Sequence, residues 1–293
     1  MKKAITWFLV GVILGNLLLV YANTDSPENN RGRELLTPKS SMGFEIQGPL
    51  NWSPRPVLTE IPSELVTQLQ QLNPKIPEDT VHIGTLVFEK KGIMYSLFVD
   101  KDTDNVWYAQ WDKNSNRLLN VGTVRFKLLE NTTRRESKYV GWAFGNRVKL
   151  VETFHTEKLQ ATDPGILSSV YIITAWQSYE WYLENPITGE DSLTTKTVAK
   201  GKFYVDYGNR ILGVDDLSYD YQVLGVIKCS FSSHTSGVGT VSAGVYADAS
   251  YMFWDLLSPV ATHWDAHPRV FVDAWTNVDG DSWGNKWIGG PWC

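Results

Sequence analysis

From residue 81 onward, segments rich in β-branched and aromatic residues alternate with short polar turns, and this pattern restricts the fold more than any other feature. We count about eleven such segments. They lie at 81–89, 93–99, 106–111, 118–129, 139–144, 148–154, 170–183, 194–207, 219–231, 238–253 and 270–275. The spacing predicts an all-β chain, with an antiparallel β-sandwich or jelly-roll-like domain over residues 81–293.

Residues 23–80 have a different composition. They hold eight of the thirteen prolines among Asn, Ser, Thr and Gln, which predicts a stalk or linker. One short amphipathic helix is expected within it, because Pro62 suits a first helical position and Asn73-Pro74 ends the pattern. Its apolar residues share one face and should pack on the following domain: Leu65, Val66, Leu69 and Leu72.

The first 22 residues have the pattern of a secretory signal. Lys2 and Lys3 precede an apolar run over residues 4–22, and small Ala22 follows Val20 and Tyr21, so cleavage after Ala22 is expected. The alternative is an uncleaved anchor, in which residues 4–22 would be the only membrane contact. Both alternatives predict that residues 23–293 are secreted or lie on the extracellular face of the membrane or envelope.

The chain has two cysteines, Cys229 and Cys293. In an oxidising compartment the default expectation is a disulfide between them, which would tether the C-terminal residue to an internal segment. An intermolecular bond or two unpaired thiols are the alternatives.

Charge and motif content exclude some classes of function. The net charge is −5 and no Lys/Arg cluster exceeds two in a row, so a nucleic-acid partner is not expected. The sequence contains no nucleophile elbow, Walker loop, dinucleotide fingerprint or Cys/His zinc pair, so catalysis is not the favoured interpretation.

Three segments place oxygen ligands at every second residue, a pattern that suits calcium. Hairpin turns also prefer Asp and Asn, and all three segments lack the glycine and distal glutamate of an EF-hand, so plain turns are the alternative. Asp265 and Asp273 lie near the third segment. The segments are Asp100, Asp102 and Asp104; Asp112, Asn114 and Asn116; and Asn277, Asp279 and Asp281.

His263, Asp265 and His267 form the most enzyme-like motif, since imidazole and carboxylate are zinc ligands. On a strand the three side chains would share one face. However, residues i and i+4 are then about 13 Å apart, too far for one ion unless the segment bends. A polar loop before a strand at Val270 is the alternative.

Further candidate sites lie on tryptophans and on glycosylation sequons. Trp283 and Trp287 belong to a Trp-rich C-terminal segment, which predicts a ligand platform if the rings are exposed and a terminal core if they are buried. Asn51 and Asn131 fit the glycosylation pattern, although Pro54 weakens the first.

Taken together, these patterns favour a secreted or cell-surface, non-catalytic protein with a structural, adhesive or assembly role, with calcium as a candidate stabiliser. The expected partners are other surface proteins, glycans or further copies of the chain. The alternatives are a carbohydrate-binding module that uses exposed Trp and Tyr, and a metal-dependent hydrolase built on the His263 motif.

Overall fold

A computed structural model describes residues 44–45, 59–60, 63–77, 80–88, 92–100, 103–112, 114–115, 117–143, 145–163, 165–223, 225–253, 261–289 and 293. All of them belong to one compact unit, Pro38–Cys293. The predicted signal segment (1–22), Asn51, Asp102 and Asn116 lie outside the described residues.

The described chain consists mainly of antiparallel strands, which confirms the all-β prediction. Over these ranges no helix has the length and apolar content needed to cross a bilayer. The elements are β1 (Phe44–Glu45), β2 (Thr59–Glu60), α1 (Ser63–Leu72), β3 (Thr80–Phe88), β4 (Ile93–Asp100), β5 (Val106–Asp112), β6 (Arg117–Thr123), β7 (Phe126–Ala143), β8 (Asn146–Ala161), a 3-10 turn (Gly165–Ser169), β9 (Val170–Glu184), β10 (Asp191–Asp206), β11 (Arg210–Asp216), β12 (Tyr219–Gln222), β13 (Val226–Ser236), β14 (Ser242–Phe253), β15 (Thr262–Asp273), β16 (Val278–Trp283) and β17 (Lys286–Ile288).

The strands form three sheets in which most neighbours in sequence are also neighbours in space. Sheet A has the order β1-β6-β5-β4-β3-β2. Sheet B has the order β11-β10-β9-β8-β7, with β12 also paired to β10. Sheet C has the order β13-β14-β15-β16, with β17 also paired to β15.

Sheet B is the central layer of the sandwich. One apolar cluster joins one face of sheet A to sheet B through residues such as Leu97 and Ile172. Two more clusters join the opposite face of sheet B to sheet C, one around Phe203 and Val270 and the other around Trp181. Burial of these alternating side chains on both sides is what fixes the register of the strands, because a slip of one residue would expose them.

The helix α1 covers the remaining face of sheet A. Val66 and Leu69 are buried in a cluster with Phe98, Trp107 and Trp111, so these two residues of the predicted apolar stripe pack on the sheet that follows the helix. Asn73 lies just past the helix end, and its backbone N–H donates to the carbonyl of Leu69 at 2.9 Å.

From residue 80 onward the described chain contains fifteen strands, β3 to β17, where the sequence pattern predicts about eleven. β11, β16 and β17 lie outside the segments that we counted as strands. The predicted segment 118–129 contains a break between β6 and β7. β15 begins at Thr262 and not at Val270, so the polar-loop interpretation of residues 263–267 is wrong. The physical reason is that these strands carry polar residues on their solvent-facing side. When the buried residues that alternate with them are not recognised, such a segment has the composition of a turn.

Candidate binding surface on the outer face of sheet C

The outer face of sheet C, turned away from sheet B, carries a group of aromatic and charged side chains. Along β14 and β15, small and branched residues such as Val245 and Val270 are buried against sheet B, while alternate residues point outward. We define the outer surface by the following residues: His234, Tyr246, Asp248, Asp265, His267, Arg269, Phe271, Asp281 and Trp283.

The edge strand β16 is fastened to sheet B by its inward residues. Ser282 accepts a hydrogen bond from Gln177 at 3.1 Å and donates one to Glu152 at 2.9 Å. A Cβ added to Gly280 would lie 2.4 Å from a ring carbon of Phe154, so only glycine allows this close approach. Because Ser282 points inward, Trp283 points outward, and 44 % of its surface is exposed.

Aromatic rings are stacked across the strands of this surface. The ring of Trp283 stacks on His267 with centroids 5.2 Å apart, and Tyr246 stacks on His234 at 4.7 Å. Phe271 packs edge-on against Tyr246 at 5.4 Å. Such cross-strand pairs stabilise the sheet and hold the rings in fixed positions.

His267 is the centre of the polar contacts. Its Nδ1 lies 2.6 Å from Asp248 Oδ1, and its Nε2 lies 3.4 Å from Asp265 Oδ2. Partial burial by itself lowers the pKa of His267, but the hydrogen bonds and negative charges of the two aspartates outweigh it, so the pKa is raised overall. The histidine is therefore biased toward the imidazolium form.

Arg269 carries the second fixed charge on the surface. One of its terminal nitrogens donates to Asp281 Oδ2 at 2.6 Å, and its guanidinium carbon lies 4.6 Å from the ring centroid of Trp283. Trp283 is thus in contact with His267 and Arg269, both from β15. The surface therefore presents a rigid aromatic ring beside hydrogen-bonding groups of both charges.

The structure brings together two of the three predicted zinc ligands. Asp265 and His267 are in contact, whereas His263 is buried and stacks on Trp287 with centroids 5.4 Å apart. Each of the two histidines predicted as zinc ligands therefore stacks on one of the two tryptophans that were predicted to bind a ligand. In the described part of the chain, no three His, Cys, Asp or Glu side chains are grouped as a metal site would require.

The third predicted calcium segment is part of a turn and a strand. Asp273 accepts hydrogen bonds from the backbone N–H groups of Trp275 and Asn277, both at 2.9 Å, which forms an Asx-type turn. Asp279 and Asp281 lie on β16 at exposed alternate positions, so this segment runs from the turn into a strand. Alternating carboxylates here mark the solvent face of a strand.

The described carboxylates of the other two predicted calcium segments also make local contacts near turns. Asp100 accepts a hydrogen bond from Thr103, and Asp104 forms an ion pair with Lys202 of sheet B. Asp112 accepts hydrogen bonds from the backbone N–H groups of Ser115 at 2.8 Å and Asn114 at 2.9 Å, which lower the pKa of Asp112. These carboxylates stabilise the β4–β5 and β5–β6 connections.

The remaining predicted positions are the disulfide and one sequon. Cys229 of β13 is bonded to Cys293, with Cα atoms 5.1 Å apart, which confirms the default pairing. Asn131 is exposed on β7, an edge strand, and Thr133 of its sequon contacts His155 Nδ1 at 2.8 Å. The sequon therefore lies on an accessible strand.

Sequence reasoning missed several members of the outer surface, namely Tyr246, Asp248, Arg269 and Phe271. The sequence pattern that could have identified them is the alternation of small and large residues in β14 and β15. Tyr, Asp, Arg and Phe occupy every second position there. Alternation shows that they share a face but does not show which strands are adjacent.

The function has to be inferred from this surface itself, because no family model, curated protein or solved structure matches the chain.

Proposed function

We propose that this chain is a non-catalytic, extracellular binding protein with an adhesive role, and that its outer surface on sheet C binds a glycan. The observation that carries the proposal is Trp283, an exposed indole held by His267 and Arg269 beside the carboxylates of Asp248 and Asp281. An aromatic ring can pack on the apolar face of a sugar, while adjacent charged groups hydrogen-bond its hydroxyls. The extracellular location rests on the composition of residues 1–22.

The test is a glycan array probed with the purified chain and two tryptophan variants. Trp283→Ala removes the ring from the outer surface. Trp275→Ala is the matched control, because Trp275 is 51 % exposed but lies in the turn between β15 and β16. We expect Trp283→Ala to lose binding by at least about tenfold, as is typical when an aromatic anchor is removed, and Trp275→Ala to retain it. Equal binding by the two variants, or no binding by the unmodified chain, would contradict the proposal.

A second candidate function is self-assembly, which one feature of sheet B favours. β7 is an edge strand of 18 residues, exposed along nearly its whole length, and within the described chain its outer edge has no partner strand. Such an edge is a template for pairing with a further copy. The charges of Arg134, Arg135 and Glu136 near its middle oppose non-specific pairing.

Sedimentation equilibrium tests assembly through this strand. We expect concentration-dependent dimers, weakened by Leu128→Lys, which adds a charge at a position 56 % exposed on β7. Leu217→Lys, outside β7 and 37 % exposed, is the control. A monomer at all concentrations would rule out this candidate.

A further inference from the structure

The face of sheet B that is turned away from sheet C is covered by sheet A at one end. Leu159, Ile172 and Tyr204 pack against sheet A there. Toward the other end of the strands, long aromatic and basic side chains on this face are exposed or half-exposed in the described chain. We call this region the open face of sheet B and define it by the following residues: Arg135, Trp176, Tyr182, Lys200, Tyr219 and Tyr221.

The register of five strands brings these side chains together in rows. His155 of β8 pairs with Trp176 of β9, which pairs with Lys200 of β10. In the next row, Arg135 of β7 and Tyr219 of β12 lie at opposite ends. Neighbouring strands are about 4.8 Å apart, so the open face spans roughly 19 Å from β7 to β12. It therefore has the width to contact several units of an extended polymer.

Two aromatic rings of the open face are held beside basic side chains. Trp176 stacks on His155 with centroids 5.5 Å apart, and Lys196 Nζ lies 5.6 Å from the Trp176 ring centroid. The guanidinium carbon of Arg135 lies 6.0 Å from the Tyr182 ring centroid, and its Nη2 donates to the Tyr182 hydroxyl at 3.3 Å. These contacts hold rings and charges in place before a ligand binds, which lowers the entropy cost of binding.

The other two rings of the open face belong to β12. Tyr219 is 46 % exposed and Tyr221 is 42 % exposed. They lie beside Val198 and Lys196 of β10. An exposed aromatic ring next to a basic group can pack on the apolar face of a sugar whose substituent carries a negative charge.

The charge of the open face favours an anion. Lys196 is neutralised by the buried carboxylate of Glu180, which it contacts at 3.1 Å. In the described chain no carboxylate forms an ion pair with Arg135 or Lys200. Glu157, one row nearer to sheet A, offsets one of these two charges. The remaining positive charge, on a chain whose net charge is −5, is complementary to an anionic ligand.

We propose that the open face of sheet B binds an acidic polysaccharide of the uronate class. Its sugar rings would pack on the tyrosines of β12, and its carboxylates would accept hydrogen bonds from Arg135 and Lys200. A guanidinium suits this role because its parallel N–H groups match the two oxygens of a carboxylate. The proposal rests on the extracellular location proposed above but not on glycan binding at Trp283, which lies on a different sheet.

Isothermal titration calorimetry of the full chain with oligogalacturonate, and with the methyl ester of the same oligomer, tests the proposal. The ester keeps the sugar backbone and removes the charges, and EDTA in the buffer prevents bridging by divalent cations. We expect oligogalacturonate to bind at least about tenfold more tightly than its ester, because the ester cannot form charge-assisted hydrogen bonds. Its affinity should fall as the salt concentration is raised.

Two pairs of variants locate the site. Arg135→Gln should weaken oligogalacturonate binding by at least about tenfold. Arg134→Gln is the matched control, because Arg134 precedes it on β7 and lies over Phe154, on the face turned toward sheet C. Tyr221→Ala should also weaken binding, whereas Tyr207→Ala, at a position 50 % exposed in the turn between β10 and β11, should not.

The proposal is overturned if oligogalacturonate binds no more tightly than its ester, or if Arg135→Gln and Arg134→Gln bind it alike. Polyphosphate that binds as tightly as oligogalacturonate would also overturn it, because charge alone would then explain binding. A dimer that Tyr221→Ala disrupts, without oligogalacturonate binding, would assign the face to a second copy of the chain. Trp283→Ala should bind oligogalacturonate normally, so failure of this proposal is distinguishable from failure of the glycan proposal.

Discussion

Nδ1 of His267 lies 2.6 Å from Oδ1 of Asp248, and this contact joins β15 to β14 on the exposed face of sheet C. It occurs where the ladder between these strands lacks regular pairs, between Tyr246↔Arg269 and Ala249↔Ala266. Pro268 follows His267 and has no N–H to donate to the ladder. A side-chain contact thus joins the two strands where backbone pairing is interrupted.

The raised pKa of His267 predicts a pH-dependent stability. Because the folded chain holds the proton more tightly than the unfolded chain, the stabilisation is fully present below the ordinary pKa of about 6.5 and is lost as pH rises through the higher folded value. We expect His267→Gln to reduce the free energy of unfolding by up to about 1 kcal/mol at pH 5.5 and by less at pH 8.5.

Urea denaturation of both proteins at the two pH values measures this difference. An NMR titration of the His267 ring in Asp248→Asn should also show a lower midpoint than in the unmodified chain. An equal effect of His267→Gln at both pH values would contradict the expectation.

The packing of α1 on sheet A predicts a large cost for one helix substitution. Leu69 is fully buried in the cluster that includes Phe98 and Trp111. Leu69→Ala should destabilise the fold by about 2–5 kcal/mol through lost burial and the cavity that remains. Gln71→Ala, at an exposed position of the same helix, should change stability by less than about 0.5 kcal/mol. Thermal unfolding of the two variants would show whether the helix is part of the cooperative unit.

The disulfide between Cys229 and Cys293 closes a loop with a sequence separation of 64. In the chain-entropy model a loop of this length contributes about 4 kcal/mol by restricting the unfolded state. We expect the double variant Cys229→Ser/Cys293→Ser to unfold at lower denaturant concentration by a corresponding amount. Added reductant should destabilise the unmodified chain and leave the double variant unchanged. A double variant as stable as the unmodified chain would show that the bond does not act on the unfolded state.

Glu180 forms a buried charge cluster on the face of sheet B opposite to sheet C. Only 4 % of this residue is exposed, and its carboxylate accepts hydrogen bonds from Ser178 and Tyr182, both at 2.8 Å, and contacts Lys196 at 3.1 Å. Glu180→Ala should destabilise the fold by about 3–5 kcal/mol, because it leaves the partners of a buried ion pair unmatched.

The same cluster affects Tyr182. Burial, followed by the charge and hydrogen bond of Glu180, raises the pKa of Tyr182 to about 12. NMR titration of labelled tyrosine in Glu180→Gln should show a lower pKa for Tyr182 that stays above the ordinary value of about 10, since burial persists. An unchanged pKa would mean that Glu180 has no influence on the phenol. Glu190→Gln, at an exposed turn position, is the control.

Local sequence patterns were sufficient for the fold class, the helix and the disulfide. The stripe containing Val66 and Leu69 has the period of a helix, and strands such as β4 and β9 are recognisable because their residues have strong β preferences. Cys229 and Cys293 are the only cysteines in the sequence, so their pairing could be predicted without knowing how far apart they lie in the fold.

Which strands are adjacent, and what the polar residues contact, depended on the tertiary structure. Asp279 and Asp281 resemble a cation-binding loop in sequence, but β16 places Asp281 opposite Arg269. His267 resembles a metal ligand, but its neighbours across the sheet are Asp248 and Trp283. The physical reason is that alternation along one strand specifies which face a side chain occupies, whereas its contacts are set by the register of strands that are distant in sequence.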